Sequence, residues 1–126
     1  MKVAVIGSRN IRLVDLDAFL PIGTTEIVSG GARGVDACAR RYARTHGIKL
    51  TEFLPDYDTY GRAAPLRRND EIVSYADLVL AFWDGASHGT RYVVRRCHEE
   101  GTPVRIFRLR NPAGELPKQL VWDVEV

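Results

Sequence analysis

Asp77-Leu78-Val79-Leu80-Ala81-Phe82-Trp83-Asp84-Gly85-Ala86-Ser87-His88-Gly89-Thr90 is the stretch on which the fold turns. Leu78 to Trp83 is the most apolar run in the chain and reads as a strand buried on both faces. Asp84 to Gly89 is a glycine-bearing loop, and Thr90 to Glu100 has the spacing of a helix, capped by Gly101. Strand, glycine loop and helix in that order make one arm of a parallel crossover unit.

The same alternation extends to both sides. Upstream, Lys2 to Ile6 is a short apolar run ending at Gly7, and Leu13, Leu16, Phe19 and Leu20 are spaced for a short helix stopped by Pro21. Glu26-Ile27-Val28 reads as the second strand. From Arg33 to His46, apolar Val35, Cys38, Ala39, Tyr42 and Ala43 oppose Arg40, Arg41 and Arg44, giving an amphipathic helix closed by Gly47. Ile48 to Leu54 is the third strand, Asp56 to Pro65 a polar loop, and Arg67 to Tyr75 a helix. Downstream, Pro103 to Leu109 is a last core strand. The tail from Arg110 carries Pro112, Gly114 and Pro117, then Leu120-Val121-Trp122, an edge strand or a segment packed on a partner. Strands alternating with helices predict an α/β, Rossmann-like three-layer domain with a mostly parallel sheet in the order 3-2-1-4-5. The expected organisation is one domain over 1–126, with a core of 1–109 and a tail of 110–126.

The bulk composition agrees with a globular chain. Its 126 residues suffice for one real core, and 45% hydrophobic with 27% charged residues is ordinary. No run approaches the roughly 20 apolar residues that span a bilayer. Met1 leads directly into a strand, unlike a secretory leader, so the expectation is a cytoplasmic protein with no membrane partner. Cys38 and Cys97 form no CxxC pair, and His46, His88 and His98 are scattered, so no metal site and no cofactor is indicated. A net charge of +2 does not by itself announce nucleic acid.

In open parallel sheets ligands bind beyond the carboxyl ends of the strands, where the strand order reverses. The glycine loops follow that geography. Gly7-Ser8-Arg9 follows strand one, Ser29-Gly30-Gly31-Ala32-Arg33-Gly34-Val35-Asp36 follows strand two, and Asp84-Gly85-Ala86-Ser87-His88-Gly89-Thr90 follows strand four. Bare backbone opening into a helix lets an anion approach free N–H groups and the positive end of the helix dipole. The dinucleotide pattern GxGxxG after strand one is absent, as is GxxxxGK[ST], which counts against hydride transfer and ATP hydrolysis.

Ser29-Gly30-Gly31-Ala32-Arg33-Gly34-Val35-Asp36, then Arg68-Asn69 opening a helix, then Ala76-Asp77 leading a strand into Phe82-Trp83-Asp84-Gly85-Ala86-Ser87-His88-Gly89-Thr90, resembles the SLOG (Smf/DprA–LOG) superfamily, nearest its small stand-alone YspA-like branch. The resemblance covers most of the chain, to about Phe107. It implies a Rossmann-like domain that binds a nucleotide or nucleotide-derived small molecule, without implying one activity.

Individual residues divide between ligand contact and structure. Arg33, at a helix start, suits a phosphate or carboxylate, or an ion pair with Asp36. Asp36 suits a ribose hydroxyl or a helix cap. Arg68 suits a phosphate and Asn69 a base edge or a loop carbonyl, and of Arg67 and Arg68 one is expected to face water. Asp84 suits a sugar or a loop cap. His88 is a candidate acid–base group or a solvated loop residue, and Trp83 either stacks on a base or belongs to the core. Tyr57 and Tyr60 are alternative stacking groups.

Three functions compete. The first is nucleotide binding or sensing, which needs only the loops and the arginines. The second is cleavage of a nucleotide N-glycosidic bond, by resemblance to the LOG phosphoribohydrolases. Those enzymes carry a glutamate three residues after the threonine of a PGGxGT loop, where this chain has Val93 and lacks the leading proline and double glycine. Asp36, Asp84 or Glu71 is left as the carboxylate such chemistry requires. The third is single-stranded DNA binding, by resemblance to DprA, with Arg40-Arg41-Arg44 and Arg95-Arg96 as basic patches, which the low net charge disfavours. Exposed helix faces and the Trp122 tail are compatible with a homodimer, in keeping with the superfamily.

Overall fold

The computed structural model describes residues 1–11, 15–110 and 121–125. The chain runs β1 (Lys2–Gly7), a 3-10 turn (Leu16–Ala18), β2 (Glu26–Ser29), α1 (Val35–His46), β3 (Lys49–Glu52), α2 (Tyr57–Tyr60), a second 3-10 turn (Gly61–Ala63) and α3 (Ala64–Tyr75). It continues through β4 (Leu78–Trp83), α4 (His88–Glu100), β5 (Val104–Arg110) and β6 (Val121–Glu125). The sheet order is β3-β2-β1-β4-β5-β6. The first five strands are parallel, in the expected order 3-2-1-4-5, and β6 adds to β5 antiparallel, pairing Phe107 with Val124.

Side-chain alternation along the central strands divides the core between two helical layers. Val3, Val5, Leu80 and Phe82 pack with Val35, Ala39 and Ala43 of α1. Ala4, Ile6, Val79 and Ala81 pack with Ile72 and Val73 of α3 and Val93 and Cys97 of α4. Phe82 and Phe107 stack at 5.0 Å, and Phe19 meets both rings edge-on at 5.1 and 4.8 Å. Each of these large side chains contributes roughly 1.5–3 kcal/mol by leaving water. No helix among the described residues is long and apolar enough to cross a membrane.

Where local structure departs from the sequence expectation, near-neighbour hydrogen bonds explain it. The expected polar loop over Asp56 to Pro65 contains α2, because the Asp56 carboxylate caps the Thr59 N–H at 3.1 Å. Helix α3 begins at Ala64 rather than Arg67, with Pro65 in the first turn, where its missing N–H costs nothing. Helix α4 begins at His88 rather than Thr90, which places Gly89 inside its first turn. The short helix expected before Pro21 is a 3-10 turn. Leu13 and the stretch 111–120, including Pro112, Gly114, Pro117 and Leu120, lie outside the described residues.

At the opposite end of the sheet from the glycine loops, Glu26 is buried. It accepts from the Tyr75 hydroxyl at 2.5 Å and from Thr51 at 2.8 Å, with Lys49 Nζ at 3.3 Å. Burial pushes its carboxyl up, but these three partners together outweigh burial and hold it below the ordinary glutamate value. Its contribution to stability is therefore present above the unfolded value and lost as pH falls through the folded one.

Candidate functional site

Strand order reverses between β1 and β4, and a cavity of about 420 Å³ opens there, beyond their carboxyl ends. Its apolar lining is Ile6, Ile72 and Val93. The loop after β1 supplies Gly7, Ser8, Arg9 and Asn10, and the loop after β2 with the start of α1 supplies Gly30, Ala32 and Asp36. Pro65, Leu66, Arg68 and Asn69 come from α3, and Asp84, Ser87, Gly89 and Thr90 from the β4–α4 connection.

Ser8 ties the two central strands together at this rim. Its N–H donates to the Phe82 carbonyl at 3.0 Å, and its hydroxyl accepts from the Asp84 N–H at 3.1 Å. Asp84 in turn shapes the loop, since its Oδ1 accepts from the N–H groups of Ala86 and Ser87, both at 2.8 Å. Burial pushes the Asp84 carboxyl up, but these N–H groups, with the Ser8 and Asn10 side chains, reverse that and leave it below the ordinary aspartate value. Asp84 is thus an ionised loop cap at the cavity wall. Ser87 is the N-cap residue of α4, so the first-turn N–H groups behind it have no intrahelical partners and border the cavity.

Arg68 is the buried cation of the site, 8% exposed, while Arg67 faces water. Its Nη1 donates to the Gly30 carbonyl at 2.6 Å and its Nε to Asn69 Oδ1 at 2.9 Å. Asn69 thereby serves its neighbour through its oxygen and keeps its amide N–H₂ as a donor. Burial lowers the guanidinium below its ordinary value, Asp36 opposes that shift, and the Arg9 charge adds to it.

Asp36, in the first turn of α1, is buried and accepts the Ala32 N–H at 3.0 Å. Burial raises its carboxyl above the ordinary aspartate value, against the pull of the Ala32 N–H and Arg68. The folded chain therefore holds this proton more tightly than the unfolded chain. Stability attributable to Asp36 rises as pH falls from its raised value to the ordinary one. Asp36→Asn, which keeps the acceptor for Ala32, is expected to be more stable than wild type at pH 7. Urea unfolding at pH 7 and near pH 3.5 checks this, because the advantage should shrink at the lower pH. A less stable variant at pH 7 would contradict it.

The glycines of the loops turn out to do different things. A Cβ on Gly7 would stand 2.5 Å from Val35 Cγ2 and 2.6 Å from the Phe82 carbonyl oxygen, so Gly7 permits β1, β4 and α1 to approach. A Cβ on Gly30 would meet the Arg68 guanidinium at 2.6 Å, and one on Gly34 the Arg9 carbonyl at 2.7 Å. Gly31 faces Leu54 and Gly85 faces Arg108. Gly89 alone of this set looks onto open space.

Of the residues singled out in the sequence, Ser29, Gly31, Arg33, Gly34, Gly85 and His88 do not line the large cavity. Arg33 and Gly34, with Arg9 and Ala37, line a smaller one of about 210 Å³ beside it. Arg33 is exposed and makes no ion pair with Asp36. Trp83 donates its indole N–H to the Ser87 carbonyl at 3.0 Å and has the guanidinium groups of Arg91 and Arg108 each 5.7 Å from its ring centroid. It props the β4–α4 loop and is not part of the cavity lining. Tyr57 and Tyr60 are exposed outside the lining, and Glu71 is exposed on α3. Asn10, Pro65 and Leu66 were not singled out. The last two would have been found had Pro65 been read as a first-turn proline.

The YAcAr family (YspA, cpYpsA-related SLOG family) matches residues 1–60. The Gene 61 protein of Mycobacterium phage D29 is 42% identical over 87 residues, covering 64% of this chain and 70% of that protein. The chain belongs to the SLOG superfamily. Its membership suggests a nucleotide-related function. Within this SLOG chain the family match takes in the loops after β1 and β2 together with Asp36. Arg68 and the α4 start, which close the other side of the cavity, lie beyond the matched residues.

Proposed function

We propose that this chain binds or senses a nucleotide or nucleotide-derived phosphate ligand in the cavity at the carboxyl rim of its sheet. The observation that carries the reading is the convergence of a buried guanidinium, Arg68, and an open helix start at Gly89 and Thr90 on one cavity. A phosphate accepts from both kinds of donor, and the N-terminus of α4 favours negative charge. Asn69, Asp36 and Asn10 supply the polar groups that a sugar and base require, over an apolar floor of Ile72 and Val93.

Hydrolysis of an N-glycosidic bond is the second reading, favoured by one observation. Asp36 is a buried cavity carboxyl with a raised proton affinity, as a general acid needs, whereas Asp84 is engaged as a loop cap. Val93, at the position of the LOG glutamate, presents only methyl groups to the cavity. A DNA interface is less well supported. Arg40 is paired with Glu52, Arg95 with Glu99, and Arg96 with Asp70, Glu99 and Glu100.

The test is a thermal-shift panel of nucleoside monophosphates, NAD, ADP-ribose and cyclic nucleotides, with products followed by chromatography. A ligand at one hundred times its Kd adds about 2.7 kcal/mol of stability. For a chain of this size that is a rise in Tm of roughly 10 °C. A shift with the nucleotide recovered unchanged supports binding or sensing. Release of free base, lost in Asp36→Asn, replaces it with the hydrolase. No shift and no product across the panel would sink both.

A further inference from the structure

We propose that the ligand carries a second anionic group, set apart from the first, and that Arg9 and Arg33 hold it in the smaller cavity. This rests on the nucleotide reading above and narrows it to nucleotides with a diphosphate or a second phosphate. The smaller cavity, about 210 Å³, is lined by Arg9, Arg33, Gly34 and Ala37. Arg9 lines both cavities, which makes them neighbours.

Charge is the reason to fill it. Neither Arg9 nor Arg33 has an ion-pair or hydrogen-bond partner among the described residues, in contrast to the paired Arg40 and Arg96. Arg9 is also close enough to Arg68 for its charge to disfavour that buried guanidinium. Arg33 stands just before the start of α1, where the helix dipole opposes a cation unless an anion lies near. Three arginines thus line two neighbouring cavities, with Arg9 common to both, and an extended anion reaching from one to the other would offset their charges.

The geometry is held by backbone. Gly34 has φ +74, and a Cβ there would stand 2.7 Å from the Arg9 carbonyl and 2.8 Å from that of Ile11. The loop carrying Arg9 is therefore pressed against the start of α1, which brings the two arginines to the same small cavity. Arginine presents a planar fork of donors suited to the oxygens of a phosphate.

Titration calorimetry on the full chain tests this with each nucleoside 5′-monophosphate and its matching 5′-diphosphate, on wild type, Arg33→Gln and Arg33→Glu. Arg33 is exposed, so both variants should melt as wild type does. The expected result is that the best diphosphate binds at least tenfold more tightly than its monophosphate, and that Arg33→Gln weakens the diphosphate about tenfold more than the monophosphate. Arg33→Glu should widen that gap. Equal affinity for the two nucleotides, or equal losses in the variants, overturns the second subsite and leaves the nucleotide reading standing. Binding of neither overturns both. Salt-sensitive binding of decathymidylate, tighter than any free nucleotide and lost in Arg33→Gln, overturns the proposal in favour of a nucleic-acid strand.

Discussion

Arg68→Ala is expected to destabilise the protein by about 3 kcal/mol and to abolish ligand binding. The side chain is buried, donates to the Gly30 carbonyl and to Asn69, and opposes the charge of Asp36. Truncation leaves a buried carbonyl without its donor and a buried carboxylate without its cation, and both penalties fall on the folded state. Arg68→Lys retains the charge but not the fork that reaches Gly30 and Asn69 together, so it should lose less stability and still bind poorly. Adding Asp36→Asn to Arg68→Ala should recover part of the loss, because the variant then no longer buries an uncompensated charge. Urea midpoints for the four proteins, with calorimetry on the nucleotide of largest thermal shift, measure all of this. Normal binding by Arg68→Ala would remove it as the phosphate ligand.

Gly89→Val should leave stability about unchanged and weaken binding. Gly89 lies in the first turn of α4, its Cβ position is open, and it lines the cavity. Helical glycine costs about 0.5–1 kcal/mol relative to alanine, so Gly89→Ala should be slightly more stable than wild type and Gly89→Val about equal to it. The valine methyls would occupy the approach to the α4 N–H groups. Affinity should fall about a hundredfold, or roughly 2.7 kcal/mol. Melting curves and titrations on the same samples separate the two effects. A stable Gly89→Val protein that binds as wild type does would move the anion away from the start of α4.

The strand order was legible because Leu78 to Trp83 is apolar on both faces and every strand ends in a glycine loop or a proline. Burial on both faces demands helices above and below, and the short connections leave few alternatives. The roles of the glycines were not legible. Gly7, Gly30 and Gly89 look alike in sequence, yet one lies against a carbonyl, one against a guanidinium and one against empty space. The carbonyl, of Phe82, and the guanidinium, of Arg68, are 75 and 38 residues away, beyond any local pattern. Arg68 was legible as a candidate, and that it rather than Arg67 is buried follows from Ala64 and Ile72, four residues to either side on the buried face of α3. The surroundings of Trp83 were not legible, because Arg91 and Arg108, which approach its ring, come from α4 and β5.

The two thiols sit in different layers, Cys38 in α1 on one face of the sheet and Cys97 in α4 on the other, and both are buried. Cys97 is fully covered, and burial pushes its thiol up to about 11, so at neutral pH it is protonated as well as inaccessible. Alkylation of Cys97 must wait for α4 to lift from the sheet, whereas Cys38 keeps 6% exposure and lines a surface pocket beside Leu16 and Tyr42. The native chain thus carries an internal clock, and the labelling rate of Cys97 times the opening of the α4 layer without any engineered probe.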